Sequence, residues 1–309
     1  MPVRRALRPV AARVRALRSR GAAPASPPAR YDEWLELAAG DELRAIDAAC
    51  ADGRPEHLAR FRALDADVWA LLLTQEYDGW PNIRALLPAV PDPALQASWN
   101  GTSGAALAAQ GVAFYRRLCD RFAAHGAVPL EAARVLDFGC GWGRLTRMLA
   151  RDVAPPGSLY GCDPAQGILD VCRADRVPAE LARSDFLPQR VPFDGPFDLA
   201  FAFSVFTHLS ERAADASLDA LHAALAPGGI LVLTVRPPSY LEGGGAGFTF
   251  VPHAAEPSHP QWGGGEMTYG ETVIPLAYVR ECWSDRFALL EAGILLGDLF
   301  QAVLILRRS

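Results

Sequence analysis

A short run of alternating glycines is the strongest chemical signal in the sequence. The run extends from Asp137 to Gly143 (DFGCGWG) and includes the end of an apolar segment, residues 135–138, that predicts a buried strand. Glycines at a strand-to-helix turn let the backbone curl tightly and approach a ligand, and the helix that follows offers free N–H groups. The run therefore predicts a ligand-binding loop, and a tight turn without a ligand is the alternative.

The spacing of these glycines separates two kinds of ligand. A dinucleotide-binding loop reads G-x-G-x-x-G, but Arg144 or Thr146 stands where the third glycine would be. The spacing here is D-x-G-x-G-x-G, with Asp137 two residues before the first glycine. A carboxylate at that place favours a ligand that carries an ammonium group over one that carries a pyrophosphate, because like charges repel.

The elements that must position this loop alternate between strands and helices after residue 130. Apolar runs predict strands at 135–138, 159–162, 197–203 and 230–235, and two more at 287–290 and 302–306. Helices are predicted between them, at 144–151, 165–172 and 211–225, with another near 275–283. This order predicts an α/β fold with a doubly wound, mostly parallel sheet.

The residues before this domain predict helices. Residues 31–77 show helical spacing with breaks at Gly40, residues 53–55 and residues 78–79, whereas residues 79–104, rich in Pro, Gly and Trp, predict a structured loop. A further helix is predicted at 105–124. We therefore expect three parts: a basic flexible tail at 1–30, a helical region at 31–104, and the α/β domain at 105–309, with an insertion at about 237–271.

Composition excludes several classes of enzyme. All 30 basic side chains are arginine, so P-loop NTPases, Schiff-base enzymes and Tyr-Lys reductases, which need an amine, are excluded. The six cysteines include no C-x-x-C pair, which favours reduced thiols and a cytoplasmic protein. No apolar run approaches the roughly 20 residues of a membrane span. The net charge of −5 argues against a nucleic-acid partner.

The first 20 residues differ from the rest of the chain, with seven arginines and no acidic residue. Their apolar side chains recur every three or four residues, which predicts a short amphipathic helix weakened by Pro9. Three interpretations stay open: a disordered tail, a contact with an anionic membrane surface or a partner protein, and a targeting peptide. A secretory signal is not expected, because no apolar core segment follows the arginines.

Residues 105–309 resemble the class I, seven-stranded S-adenosylmethionine-dependent methyltransferases, which have a Rossmann-like sheet. The glycine loop is followed by Asp163, by residues 184–186, by the segment 197–209 and by residues 225–229, and these motifs come in the family's order. The resemblance implies S-adenosyl-L-methionine as the cofactor. The glycine loop would hold its methionine part, Asp163 and Pro164 would bind the ribose, and Asp185 and Phe186 would bind the adenine. Ser204 opens the segment that resembles the motif after the fourth strand. The implied cofactor residues are Asp137, Phe138, Gly139, Cys140, Gly141, Gly143, Asp163, Pro164, Asp185, Phe186 and Ser204.

Each of these residues also has a purely structural interpretation. Asp163 could cap the helix that follows it, Asp185 could be a surface turn residue, and Trp142 could pack in the core. His208 directly follows the fourth strand and is the candidate general base, since histidine titrates near neutral pH. The alternative is that His208 orders its loop by hydrogen bonding while Ser210 caps the next helix.

The insertion after the fifth strand is expected to bind the acceptor. It is rich in glycine and carries His253, Trp262, Glu266 and Tyr269, which we predict to be substrate-binding. A disordered surface insertion is the alternative. These histidines, together with His259, form no recognisable metal-binding motif, so no metal is expected.

The acceptor itself is not defined by the sequence. By analogy with the family, we expect O- or N-methylation of a small molecule, sugar or glycan-type acceptor. Two other functions stay open: a non-catalytic scaffold or regulatory subunit that retains the cofactor pocket, and an NAD-dependent oxidoreductase on the same fold. Turnover distinguishes the first of these from an enzyme, and NAD(H) binding would favour the second.

Overall fold

A seven-stranded sheet forms the centre of the fold. The computed structural model describes residues 31–153, 158–241, 247–254 and 261–309, so the tail predicted at residues 1–30 and His259 lie outside the described residues. The strands are β1 (Val135–Phe138), β2 (Leu159–Asp163), β3 (Glu180–Arg183), β4 (Phe197–Ala202), β5 (Leu225–Val235), β6 (Thr249–Pro252), β7 (Trp262–Gly263), β8 (Glu266–Met267), β9 (Gly270–Val273), β10 (Phe287–Leu295) and β11 (Asp298–Arg308).

The strand order confirms the predicted Rossmann-like sheet. It is β10-β11-β5-β4-β1-β2-β3, and the four pairs among β1 to β5 are all parallel. β11 runs antiparallel to both β5 and β10. Because the order reverses between β1 and β4, a crevice is expected at the carboxyl ends of these two strands.

Helices cover both faces of the sheet. The α-helices are α1 (Asp32–Ala49), α2 (Ala66–Thr74), α3 (Pro81–Leu86), α4 (Pro93–Asn100), α5 (Gly104–His125), α6 (Arg144–Leu149), α7 (Gln166–Ala174), α8 (Glu211–Ala224) and α9 (Leu276–Cys282). Short 3₁₀ segments lie at Cys50–Asp52, Pro55–Ala63, Leu130–Ala132 and Pro238–Tyr240. Alternate residues of β5 enter two separate apolar clusters, since Ile230 and Val232 belong to one and Leu231 and Leu233 to the other. Burial on both faces explains the nearly continuous apolar runs of the central strands.

The helical region before the sheet packs against one face of the α/β part. The indole N–H of Trp69, on α2, donates to the carbonyl oxygen of Met148 at 2.9 Å. The buried guanidinium of Arg151 donates to the carbonyl oxygens of Phe61 and Leu64 at 2.9 and 2.8 Å. The two parts share one apolar cluster, so the helical region is tied to the sheet by burial as well as by hydrogen bonds.

The predicted break at Gly40 is present as a kink one residue earlier, because the backbone of Ala39 leaves the helical range inside α1. One prediction for the helical region was wrong. Residues 79–104 are not a loop throughout, because they contain α3 and α4. Proline is tolerated in the first turn of a helix, where its missing N–H has no intrahelical partner, and Pro81 and Pro93 begin these two helices.

The insertion between β5 and α9 has regular structure in its described residues. β6 pairs with β9 and β7 pairs with β8, both antiparallel. Backbone bonds join this insertion to the segment after β4, since Gly270 N–H donates to the His208 carbonyl oxygen at 2.7 Å. The described helices include none that is both long and apolar enough to span a membrane.

Candidate active site

A cavity of about 680 Å³ opens at the carboxyl ends of β1, β2 and β4. It includes the glycine loop and extends past the end of β4 to β11 and to the insertion. Most of the residues predicted to bind cofactor or acceptor meet in its wall. These are Asp137, Phe138, Gly139, Cys140, Gly141, Asp163, Pro164, Asp185, Phe186, Ser204, His208 and Tyr269.

The glycine loop needs glycine for its backbone geometry. Gly139, Gly141 and Gly143 all have positive φ, at 76°, 53° and 77°. A Cβ atom on Gly139 would lie 2.4 Å from Cγ2 of Val205, so no other residue fits there without displacement. Gly143 does not line the cavity: it precedes α6 and packs against Val177. Gly143 therefore starts α6, and its role in cofactor binding stays a prediction.

Asp163 connects the end of β2 to the glycine loop. One carboxylate oxygen accepts the Gly141 N–H at 3.0 Å, and the other accepts the Ala165 N–H at 2.9 Å. Burial raises the pKa of Asp163, and these two N–H groups oppose the rise. Each carboxylate oxygen offers two lone pairs, so Asp163 caps the next turn and keeps capacity for two more donors.

Asp137 is buried beneath the loop. Its carboxylate accepts the Thr146 hydroxyl at 2.6 Å. Burial raises the pKa of Asp137 to about 7, although the hydrogen bond from Thr146 opposes the rise. Because burial disfavours the ionised form of Asp137, its carboxylate is suited to a ligand that brings a positive charge into the cavity.

The far rim of the cavity lies beyond β3. Asp185 is exposed there and Phe186 is half-buried, and Pro164 lies next to them. An exposed carboxylate beside an apolar ring can receive a donor group of a planar ligand whose face packs on the ring. The assignment of Asp185 and Phe186 to the adenine stays a prediction.

The helical region contributes wall residues that sequence motifs did not identify. Trp99 and Asn100, at the end of α4, line the cavity, and the Asn100 side chain accepts the indole N–H of Trp142 at 2.8 Å. Gly101, in a left-handed conformation, ends α4 directly after Asn100.

A second chain of contacts was also missed by the sequence analysis. The guanidinium of the half-buried Arg144 donates to the side-chain oxygen of Gln110 at 2.9 Å, and the Gln110 amide donates to Asp298 at 2.6 Å. All three residues line the cavity. They lie on α6, α5 and β11, so only the tertiary fold brings them together.

His208 has both ring nitrogens within hydrogen-bonding distance of the protein. Nδ1 lies 2.8 Å from the Gly270 carbonyl oxygen, and Nε2 lies 3.3 Å from Nη2 of Arg236. Because a carbonyl oxygen only accepts and a guanidinium only donates, Nδ1 carries the hydrogen and Nε2 the lone pair. The His208 ring also stacks on Tyr269, with centroids 4.9 Å apart. The loop-ordering contact that the sequence analysis kept as an alternative is thus present, and Ser210 caps α8 through the Ala213 N–H.

A charged cluster lies behind His208. Glu271 pairs with the fully buried Arg236, accepts the Tyr240 hydroxyl at 2.7 Å, and lies 3.4 Å from Nε2 of His253. Burial alone would raise the pKa of Glu271, but the hydrogen bond with His253 and the positive charge of Arg236 lower it to about 2. The carboxylate therefore stays ionised at neutral pH.

The same cluster is the place where a metal ion could be considered. His208, His253 and Glu271 offer ligand atoms that lie within 4.8 Å of one another. The guanidinium of Arg236 contacts both His208 and Glu271, so a positive charge already lies beside these atoms. A cation would have to displace it, and this donor set does not favour a metal.

Three of the four residues predicted to bind substrate lie outside the cavity wall. Tyr269 lines the cavity, whereas His253, Trp262 and Glu266 do not. Glu266 accepts the Ser210 hydroxyl at 3.0 Å, and Trp262 belongs to the short β7–β8 hairpin. Among its described residues, the insertion therefore contributes Gln261, Thr268 and Tyr269 to the cavity wall. Glu266 contacts Ser210 outside that wall.

A family model described as a methyltransferase domain matches residues 135–229, the part of the chain that holds the glycine loop and Asp163. This match confirms the resemblance to methyltransferases that the sequence showed.

The trans-aconitate 2-methyltransferase of Variovorax paradoxus is 35% identical over 107 residues, which are 34% of this chain and 40% of that protein. The chain thus matches less than half the length of this curated relative. Among solved structures, the fold is similar to a glycopeptide N-methyltransferase, MtfA, complexed with sinefungin, at 15% identity and a TM-score of 0.47 over 64% of this chain and 94% of that one. It is also similar to magnesium protoporphyrin IX methyltransferase from Synechocystis with bound S-adenosylhomocysteine, at 18% identity and a TM-score of 0.44 over 65% and 84%.

Proposed function

We propose that this protein transfers the methyl group of S-adenosyl-L-methionine to an oxygen or nitrogen atom of a small-molecule, sugar or glycan-type acceptor. One observation carries the proposal. A single cavity contains the glycine loop with Asp163 at one end. At its other end lie Ser204 and His208, which follow β4, and Asp298 and Gln301 on β11. Such a cavity can hold a cofactor and a second molecule side by side.

The residues of the first half fit the cofactor. Gly139 and Gly141 line the cavity without a side chain, and Asp163 has two lone pairs left for the ribose hydroxyls. Asp137 would balance the ammonium group, and Asp185 with Phe186 would receive the adenine. When bound, the cofactor supplies a sulfonium that makes its methyl group electrophilic. The chain then has to orient a nucleophile and exclude water.

The residues at the end of β4 face the second molecule. His208 is the candidate base of this proposal because its Nε2 holds the lone pair. Accepting a proton there requires the 3.3 Å contact with Arg236 to be exchanged. Tyr269 stacks on the His208 ring and keeps its plane fixed, so the base would be held in one orientation.

The proposal is tested by incubating the purified protein with methyl-labelled cofactor and a panel of acceptors: sugars, phenols, amines and trans-aconitate, the compound in the relative's name. Formation of S-adenosylhomocysteine together with a labelled product supports the proposal, and Asp163→Ala should lower it. Cofactor binding without turnover of any acceptor would favour the non-catalytic scaffold. Binding of NAD⁺ instead would favour the oxidoreductase.

A further inference from the structure

Gln301 marks the part of the cavity that faces the acceptor. Apart from Ser204, which follows β4, the residues assigned to the cofactor lie at or after the ends of β1, β2 and β3, on one side of the point where the strand order reverses. Gln301 lies on β11, two strands beyond β4 on the other side, and it lines the same cavity. The assignment of this second half of the cavity to the acceptor rests on the proposed function.

The Gln301 amide is only half satisfied. The side chain is 6% exposed, and its Nε2 donates to the Ser204 hydroxyl oxygen at 3.1 Å. Its carbonyl oxygen has no hydrogen-bond partner among the residues that the structure describes. Gln110, a second glutamine in the cavity wall, differs in this respect, because its oxygen accepts from Arg144 and its nitrogen donates to Asp298.

Ser204 holds the bonded end of this amide in place. Its backbone has a φ of 59°, in the left-handed region that a serine rarely adopts, and its N–H donates to the buried Thr234 hydroxyl oxygen at 2.7 Å. Its own hydroxyl lies 3.2 Å from that of Thr207. Strained backbone of this kind is retained where the surrounding structure fixes it, and it concentrates at ligand sites. The Gln301 nitrogen is thus anchored, and its oxygen is the end that lacks a donor.

A buried carbonyl oxygen without a donor is costly, and a bound molecule can remove that cost. The geometry points to Gln301 as the residue that accepts a hydrogen bond from the acceptor's nucleophilic group. The acceptor class that this oxygen selects is an uncharged hydroxyl or amine, which brings the missing hydrogen. A carboxylate would place its own oxygen against that of Gln301, and two acceptors without a hydrogen between them repel.

Four probes of similar size test this assignment: phenol, aniline, benzoate and toluene, each titrated into ¹⁵N-labelled protein saturated with S-adenosylhomocysteine. The readout is the side-chain amide signal of Gln301, identified by its loss in Gln301→Met. Phenol and aniline should shift this signal and bind about fivefold more tightly than toluene and benzoate, the factor expected of one neutral hydrogen bond. Gln301→Met should remove the preference, and Gln189→Met, at an exposed position outside the cavity wall, should keep it.

The inference is overturned if benzoate or toluene binds as tightly as phenol, if none of the four probes shifts the signal, or if Gln301→Met keeps the preference. The comparison among probes on the unchanged protein does not depend on the variant's folding. Failure of S-adenosylhomocysteine to bind at all would instead contradict the proposed function, and this inference with it. The two failures are therefore distinguishable.

Discussion

The Asp163 carboxylate accepts the backbone N–H of Gly141 at 3.0 Å, so the residue that ends β2 holds the loop that follows β1. One side chain thereby fixes the loop and also faces the cavity. We predict that Asp163→Ala weakens S-adenosylhomocysteine binding at least about tenfold, the effect expected from losing hydrogen bonds to a charged group. Calorimetric titration measures this. The control is Asp170→Ala, an exposed aspartate on α7 outside the cavity wall, which should keep the wild-type affinity; equal affinities in both variants would refute the role of Asp163.

Gly139 is predicted to tolerate no side chain. The substitution Gly139→Ala would place a Cβ 2.4 Å from Val205 at a φ of 76°, so it should lower both stability and cofactor affinity. We expect a loss of about 1–3 kcal/mol in the free energy of unfolding from the strained backbone. The matched control is Gly167→Ala on α7, where the added Cβ meets nothing within 4 Å and stability should be unchanged or rise by up to about 1 kcal/mol.

A second substitution tests whether the contact between the new Cβ and Val205 causes this loss of stability. Adding Val205→Ala to Gly139→Ala removes the atom that the new Cβ meets, whereas the positive φ remains. The double variant should recover part of the lost stability and less than all of it, as measured by urea unfolding. Complete recovery would show that the backbone conformation costs nothing, and no recovery would show that Val205 is not the obstacle.

The protonation of Asp137 should make stability depend on pH. Burial raises the pKa of Asp137 from its ordinary 3.8 to about 7 in the folded protein. Between these values the folded state holds more protons than the unfolded chain, so this group lowers the free energy of unfolding as the pH rises from about 4 to 7. Asp137→Asn lacks the titrating group. Its stability relative to wild type should therefore increase across this range, and parallel pH profiles for the two proteins would contradict the assignment.

The same group should make cofactor binding depend on pH in the opposite direction. If ionised Asp137 balances the ammonium group of the cofactor, affinity for S-adenosylhomocysteine rises as the pH passes through about 7. We expect an increase approaching tenfold per pH unit below that value. Asp137→Asn should bind more weakly at pH 8 and with a flatter profile. A wild-type affinity that does not change between pH 6 and pH 8 would remove Asp137 from the cofactor site.

His208→Ala separates a base from a residue that only orders its loop. As a base, His208 contributes to turnover, so kcat should fall by about 100-fold or more while the affinity for S-adenosylhomocysteine stays within about twofold. His222→Ala on α8, whose ring packs against Phe287, is the control and should leave both quantities unchanged. The reverse result, with weakened cofactor binding and normal kcat, would assign His208 to loop order alone.

The central sheet and the place of the glycine loop and Asp163 in the cavity wall could be predicted from the sequence because their determinants are local. β1 has the predicted bounds, since a short apolar run ends at a glycine loop, and Asp163 ends β2 where the motif order required it. α3 and α4 were missed because proline and tryptophan were interpreted as loop residues, although Pro81 and Pro93 occupy the first turns of helices.

His208 and Tyr269 were predicted and line the other end of the cavity, but most of the contacts there could not be predicted, because they join distant segments. Gln301 meets Ser204 across 97 positions, and Arg144, Gln110 and Asp298 come from three elements. A local sequence motif can identify a glycine loop, but it cannot identify a cavity wall whose side chains come from distant segments.

The most direct test of the central claim is a parallel calorimetric titration of the purified protein with S-adenosylmethionine, S-adenosylhomocysteine and NAD⁺. The structure predicts micromolar binding of the first two and no binding of NAD⁺, because the cavity combines the D-x-G-x-G-x-G loop with a buried carboxylate suited to an ammonium group. Binding of NAD⁺ alone, or of none of the three, would contradict the assignment of this cavity to S-adenosylmethionine.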